Sequence, residues 1–87
     1  MNLTETNYQK GARKERVIVN RHRKLGRLAF RSAGSHSPVD VFVLDPKSKT
    51  IFLIQSKPKS MSENAKHKIY DDLKQYVGDY VVVADVE

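Results

Sequence analysis

The sequence predicts a small α/β domain with elements in the order α-β-β-β-α-β, a mixed four-stranded sheet flanked by two helices. Three observations predict it. Two stretches place apolar residues at helical spacing, β-rich runs between them flank a polar turn, and a strongly apolar run closes the chain. The 87 residues suit one domain, 1–87, with a thin core.

Residues 1–6 read as a loosely held arm. Asn7 can cap a helix running to about Leu25, with Gly26 just past its end. Arg27–Ser32 is a short extended piece, followed by the loop Ala33-Gly34-Ser35-His36-Ser37-Pro38. Val39–Leu44 and Ile51–Lys57 flank Asp45-Pro46-Lys47-Ser48-Lys49-Thr50, the pattern of a hairpin. Ser60 and Glu63 have capping-box spacing and open a second helix to about Val77, with Ala65, Ile69, Leu73 and Tyr76 inward and Gly78 closing it. Tyr80–Val86 is the expected fourth strand. Tyr70, Tyr76 and Tyr80 read as packing residues.

Composition excludes several classes of protein. The chain has no cysteine, so disulfide scaffolds, zinc ribbons and thiol nucleophiles are ruled out. His22, His36 and His67 are isolated, with His67 solvated between two lysines and His22 at the edge of the helix–sheet packing. No apolar run reaches the roughly 20 residues of a membrane span, and no signal-peptide pattern is visible. The expectation is a cytoplasmic protein with no membrane partner.

Net charge is +6, and it is segregated. Lys10 to Arg31 holds nine Lys and Arg against one acid, Glu15, while the rest of the chain is slightly acidic. A basic segment of this kind points to a polyanion, most simply nucleic acid; a solvated basic helix face is the plainer alternative.

If Leu44 pairs with Ile51, Asp40 lies opposite Gln55 on the same face, with Cβ atoms about 5 Å apart, and Lys57 points the same way. Glu15 has no basic neighbour at i±3 or i±4 and shares a stripe with Ile18, His22 and Leu25, so it should face the sheet. Two inward carboxylates suggest a hard-cation site. They should also repel each other without metal, so Asp40→Asn should raise the melting temperature of the metal-free chain. The other reading of Glu15 is an ion pair with an arginine from another element. Ser32 and Ser35 in the loop could bond a phosphate.

Lys10-Gly11, Glu15-Arg16, Phe30-Arg31-Ser32-Ala33-Gly34-Ser35, Pro38-Val39-Asp40-Val41 and Gln55-Ser56-Lys57 together resemble the archaeal Holliday junction resolvases. These belong to the PD-(D/E)XK nuclease superfamily, whose restriction-endonuclease-like core has the same order of elements. The resemblance spans roughly residues 9–85. It implies a homodimeric, Mg2+-dependent endonuclease (Mn2+ a possible substitute) that cuts four-way DNA junctions symmetrically. By position, Glu15, Asp40 and Gln55 would be the metal ligands. Lys57 would orient or help activate water, and Ser32 or Ser35 would stand near the scissile phosphate. Lys10, Arg13, Lys14, Arg31, His36 and Lys59 would hold DNA phosphates. The family pattern has Glu-x-Lys where this chain has Gln55-Ser56-Lys57, which removes one negative charge and weakens divalent-ion binding. The alternative is therefore a catalytically weak or inactive nuclease-fold protein that binds branched DNA or regulates a DNA-processing partner. A plain RNA-binding domain lacks the expected aromatic stacking platforms.

Overall fold

The computed structural model describes residues 6–32 and 37–87. Its elements are α1 (Asn7–Lys24), β1 (Leu28–Arg31), β2 (Val41–Asp45), β3 (Thr50–Ile54) and α2 (Glu63–Lys74). The architecture is α/β, with two helices and a three-stranded antiparallel sheet of order β1-β2-β3.

Helix α1 begins one residue earlier than Asn7 capping would require. The Thr6 hydroxyl accepts from the Gln9 N–H at 3.1 Å, and the Gln9 side chain accepts from the Thr6 N–H at 2.8 Å. This reciprocal pair satisfies two donors that a helix start leaves open. The last turn holds Arg21, His22, Arg23 and Lys24, cationic or proton-accepting groups at the negative end of the helix dipole. Gly26 then takes a φ of 81°, a left-handed conformation that favours glycine, and turns the chain into β1.

The sheet's inner face carries the core. Val41 and Val43 are 0% exposed and pack with Ala29 of β1 and Val19 of α1, while Ile18, Phe52 and Ile54 close the margin. Ala12 and His22 are the other buried residues of α1. The inward stripe is therefore Ala12, Glu15, Val19 and His22 rather than one ending at Leu25, which is 60% exposed. Leu25 has left the helix and lies in the turn, where the 3.6-residue period no longer aims it at the sheet.

The hairpin forms in the expected register: Leu44 faces Ile51, Val43 faces Phe52 and Val41 faces Ile54. Asp45 caps its turn, with Oδ1 accepting from the Lys47 N–H at 2.9 Å. The Lys47 N–H foremost, with hydrogen bonds from Ser48 and Arg27, holds its carboxyl below the usual carboxylate range. Helix α2 starts at Ser62, not Ser60: the Ser62 side chain accepts from the Ala65 N–H at 3.2 Å. Its expected inner residues Ala65, Ile69 and Leu73 are only half-buried, and Tyr76 is exposed.

The expected fourth strand is not formed. Tyr80–Val86 pairs with neither edge, and Val81, Val82, Val83 and Val86 stand 74–97% exposed. The sheet is thus three-stranded and antiparallel rather than four-stranded and mixed among the described residues. Apolar composition marked this run as strand-forming, but a strand exists only with a ladder partner, and α2 leaves the run outside the sheet.

Candidate phosphodiester site at one end of the sheet

The end of β1, the start of β2 and the end of β3 meet beside the N-terminal half of α1. A chain of bonds joins them. Arg31 Nε donates to Glu15 Oε1 at 3.0 Å, tying β1 to α1. The Ser32 N–H donates to the Asp40 carbonyl at 3.0 Å. Asp40 Oδ2 accepts from the Ser56 N–H at 2.8 Å. Lys14 Nζ donates to the Lys57 carbonyl at 3.0 Å, tying α1 to the segment after β3. Glu15, Arg31, Ser32, Asp40, Gln55 and Ser56 are half-buried, whereas Lys10, Arg13, Lys14, Lys57 and Lys59 are exposed.

Asp40 does not sit where simple strand alternation places it. Its N–H donates to the Ile54 carbonyl at 2.8 Å, although Ile54 is already the partner of Val41. Two residues of one strand thus face one residue of the other, the arrangement of a β-bulge. The direct Asp40–Gln55 pairing is lost, and the carboxylate instead reaches Ser56. Ser35 and His36 lie outside the described residues.

Glu15 does face the sheet, in the ion-paired form: Arg31 answers its charge. The repulsion expected between Glu15 and Asp40 is therefore largely neutralised. With Asp40 also accepting a backbone N–H, Asp40→Asn has no repulsion to relieve.

The oxygen donors present are of the kind a hard cation takes. Magnesium needs only one or two carboxylates when substrate phosphates and water complete its shell. Asp40 and the Gln55 amide fit that chemistry, and Glu15 would have to exchange Arg31 for the ion. Among the described residues, no three His, Asp or Glu side chains are gathered as a ready-made metal cage. A site built from these residues would be completed by substrate.

A second polar cluster, which the sequence reading missed, lies at the opposite end of β2. Arg27 Nη1 donates to His22 Nδ1 at 2.9 Å, and Arg27 Nε bonds Asp45 Oδ2 at 3.2 Å. The Arg27 guanidinium also lies over the Phe52 ring, 5.1 Å from its centre, and the His22 ring is 5.7 Å from Phe52. Arginine can only donate, so His22 Nδ1 accepts and the imidazole is neutral. The only sequence signal was His22 on the buried stripe of a basic helix.

Burial, then the charges of Arg27 and Arg21, lower the His22 pKa. The unfolded chain therefore binds more protons than the folded one as pH falls below about 6.5, and stability rises with pH across that window. The melting temperature is expected to fall on acidification from pH 7 to 5, and His22→Gln should flatten that slope. Differential scanning calorimetry in matched ionic strength checks it.

No family model, curated protein or solved structure matches this chain. Fold and site define its class: a small α/β domain with a basic, carboxylate-bearing end to its sheet. Among the described residues, no helix is long and apolar enough to cross a membrane.

Proposed function

We propose that this chain is a DNA-binding domain of nuclease type that acts on branched DNA, most simply four-way junctions, and hydrolyses phosphodiesters with a divalent metal at the Asp40 end of the sheet. The observation that carries the reading is the bonded convergence of Lys14, Glu15, Arg31, Asp40 and Lys57 from four separate segments. A bound magnesium would polarise the phosphodiester and acidify water. Asp40 supplies a carboxylate oxygen, and Gln55, the residue before its partner Ser56, carries the amide that would add a second donor. The Lys57 ammonium offsets charge developing on the phosphate, and Lys10, Lys14 and Lys59 hold flanking phosphates. The resemblance of the five sequence segments to junction resolvases supports branched DNA as the substrate and a homodimer as the working form.

The test is cleavage of a synthetic four-way junction beside a linear duplex of the same sequence, with magnesium and with EDTA. Symmetrical nicks confined to the junction and abolished by EDTA are the expected result. The Glu15–Arg31 ion pair and Gln55 favour one second reading, a binding module on a nuclease fold. There, wild type binds the junction without cutting, and Gln55→Glu creates cleavage.

Either reading requires backbone contacts. Releasing one condensed counterion per contact lowers log K by about 0.9 per decade of salt for B-DNA. Lys10→Ala with Lys59→Ala is therefore expected to make the salt slope shallower by roughly 2. Fluorescence anisotropy across a salt series measures it, and an unchanged slope would place the DNA elsewhere on the molecule.

A further inference from the structure

The two edges of the sheet are not equivalent. On β1 the Ala29 carbonyl, directed away from β2, accepts from Arg23 Nε at 3.0 Å, so a charged side chain occupies that edge. On β3, residues 50, 52 and 54 alternate with 51 and 53, and the latter direct their backbone groups away from β2. No described strand pairs with that side. An unguarded edge is a template for another strand.

The same molecule holds an unpaired strand-forming segment. Tyr80–Val86 contains four valines that are 74–97% exposed. Between it and the sheet's outer face lies an open groove of ≈ 1300 Å³, bordered by Phe42, Leu44 and Leu53 on the sheet and by Tyr70, Leu73 and Val82 opposite. That space is larger than the roughly 300–1,000 Å³ of ordinary small-molecule sites. In its own chain the tail stays beside α2, where the Tyr80 hydroxyl donates to the Tyr76 carbonyl.

The charges are of opposite sign. Asp79 precedes the tail and Asp85 lies near its end, about 20 Å apart if extended, while Lys49 and Lys57 flank β3, about 26 Å apart. The two-residue offset of about 7 Å is within the combined reach of an aspartate and a lysine side chain. All four flanking residues are exposed.

We propose that a second copy of this chain supplies the missing strand. The Tyr80–Val86 tail of each molecule adds to the β3 edge of the other, with Asp79 and Asp85 set against Lys49 and Lys57. The exchange is reciprocal, so it closes as a two-fold dimer and leaves no open edge to propagate. It rests on the homodimer of the proposed function and names the surface that dimer uses. Its test involves no DNA, so a chain that nicks junctions but fails here overturns the strand exchange and leaves the cleavage standing.

Sedimentation equilibrium from 1 to 200 µM on the full chain tests it. Wild type is expected to form a saturable dimer. Val82→Pro is expected to stay monomeric, because proline removes a ladder donor. Val82 is 74% exposed in the single chain, so the variant should keep the far-ultraviolet circular dichroism of the fold. Asp79→Lys with Asp85→Lys should weaken self-association at least tenfold. Mixing that variant with Lys49→Glu plus Lys57→Glu should restore a heterodimer. A wild type that stays monomeric at 200 µM, a Val82→Pro chain that still dimerises, or a charge-swapped mixture without heterodimer would each overturn the proposal.

Discussion

Asp40→Ala is expected to lower junction cleavage by roughly a thousandfold, equivalent to about 4 kcal/mol of transition-state stabilisation, while leaving junction binding within a few-fold of wild type. The asymmetry follows from placement. Asp40 is the carboxylate at the bulge between β2 and β3, whereas the proposed phosphate contacts belong to the exposed lysines Lys10, Lys14 and Lys59. Removing the side chain also strips the Ser56 N–H of its acceptor, costing about 1 kcal/mol of stability. Asp40→Asn separates the two effects. Its amide oxygen can still accept from Ser56 but carries no charge, so its melting temperature should stay near wild type while cleavage is lost. Single-turnover assays at saturating protein, paired with thermal melts, check both. An Asp40→Ala chain that cuts at the wild-type rate would remove Asp40 from the chemistry.

The largest effect on folding is expected at Val43. It is 0% exposed, on the central strand, between α1 and the neighbouring strands. Val43→Asp would place a carboxylate there with no partner, and an uncompensated buried charge costs about 3–5 kcal/mol. A domain this small lies near the lower end of the usual 5–15 kcal/mol of total stability. The variant should therefore show no cooperative urea transition, whereas Val43→Ala should keep one, destabilised by about 2 kcal/mol. A cooperative Val43→Asp transition at the wild-type midpoint would mean that the core is not where the structure puts it.

What could be read from the sequence divides along physical lines. Both helices, the positions of the three strands and the hairpin register were legible because each rests on local signals, hydrophobic period and a polar turn. The antiparallel pairing of β1 was not, since the expected sheet was mixed, and both helix caps lay elsewhere than expected. That β2 and β3 bring Asp40 and the segment of Ser56 and Lys57 to a common end was also legible, since the register sets it. The bulge at Asp40 was not. Alternation assumes an unbroken ladder, and nothing in Pro38-Val39-Asp40 announces an extra residue. The pairing of Glu15 was foreseen only as an unnamed arginine, because the choice of Arg31 depends on how α1 crosses β1. The last strand failed for the opposite reason: its composition was clear, but pairing is a property of two segments.

The core residues buried outright are small and smooth: Ala12, Val19, Ala29, Val41 and Val43. Such a surface offers few deep interlocks against a helix sliding over a sheet. Alignment comes instead from two polar dowels, Glu15 with Arg31 and His22 with Arg27. The dowels are seven residues apart on α1, about 10 Å, and four apart on the extended chain through β1, about 13 Å. A helix fixed at two points can neither slip by a turn nor roll by one residue without breaking both. The positional accuracy of the candidate site is therefore stored in the polar margin of the domain, leaving its apolar interior free to change in detail while the carboxylates stay in place.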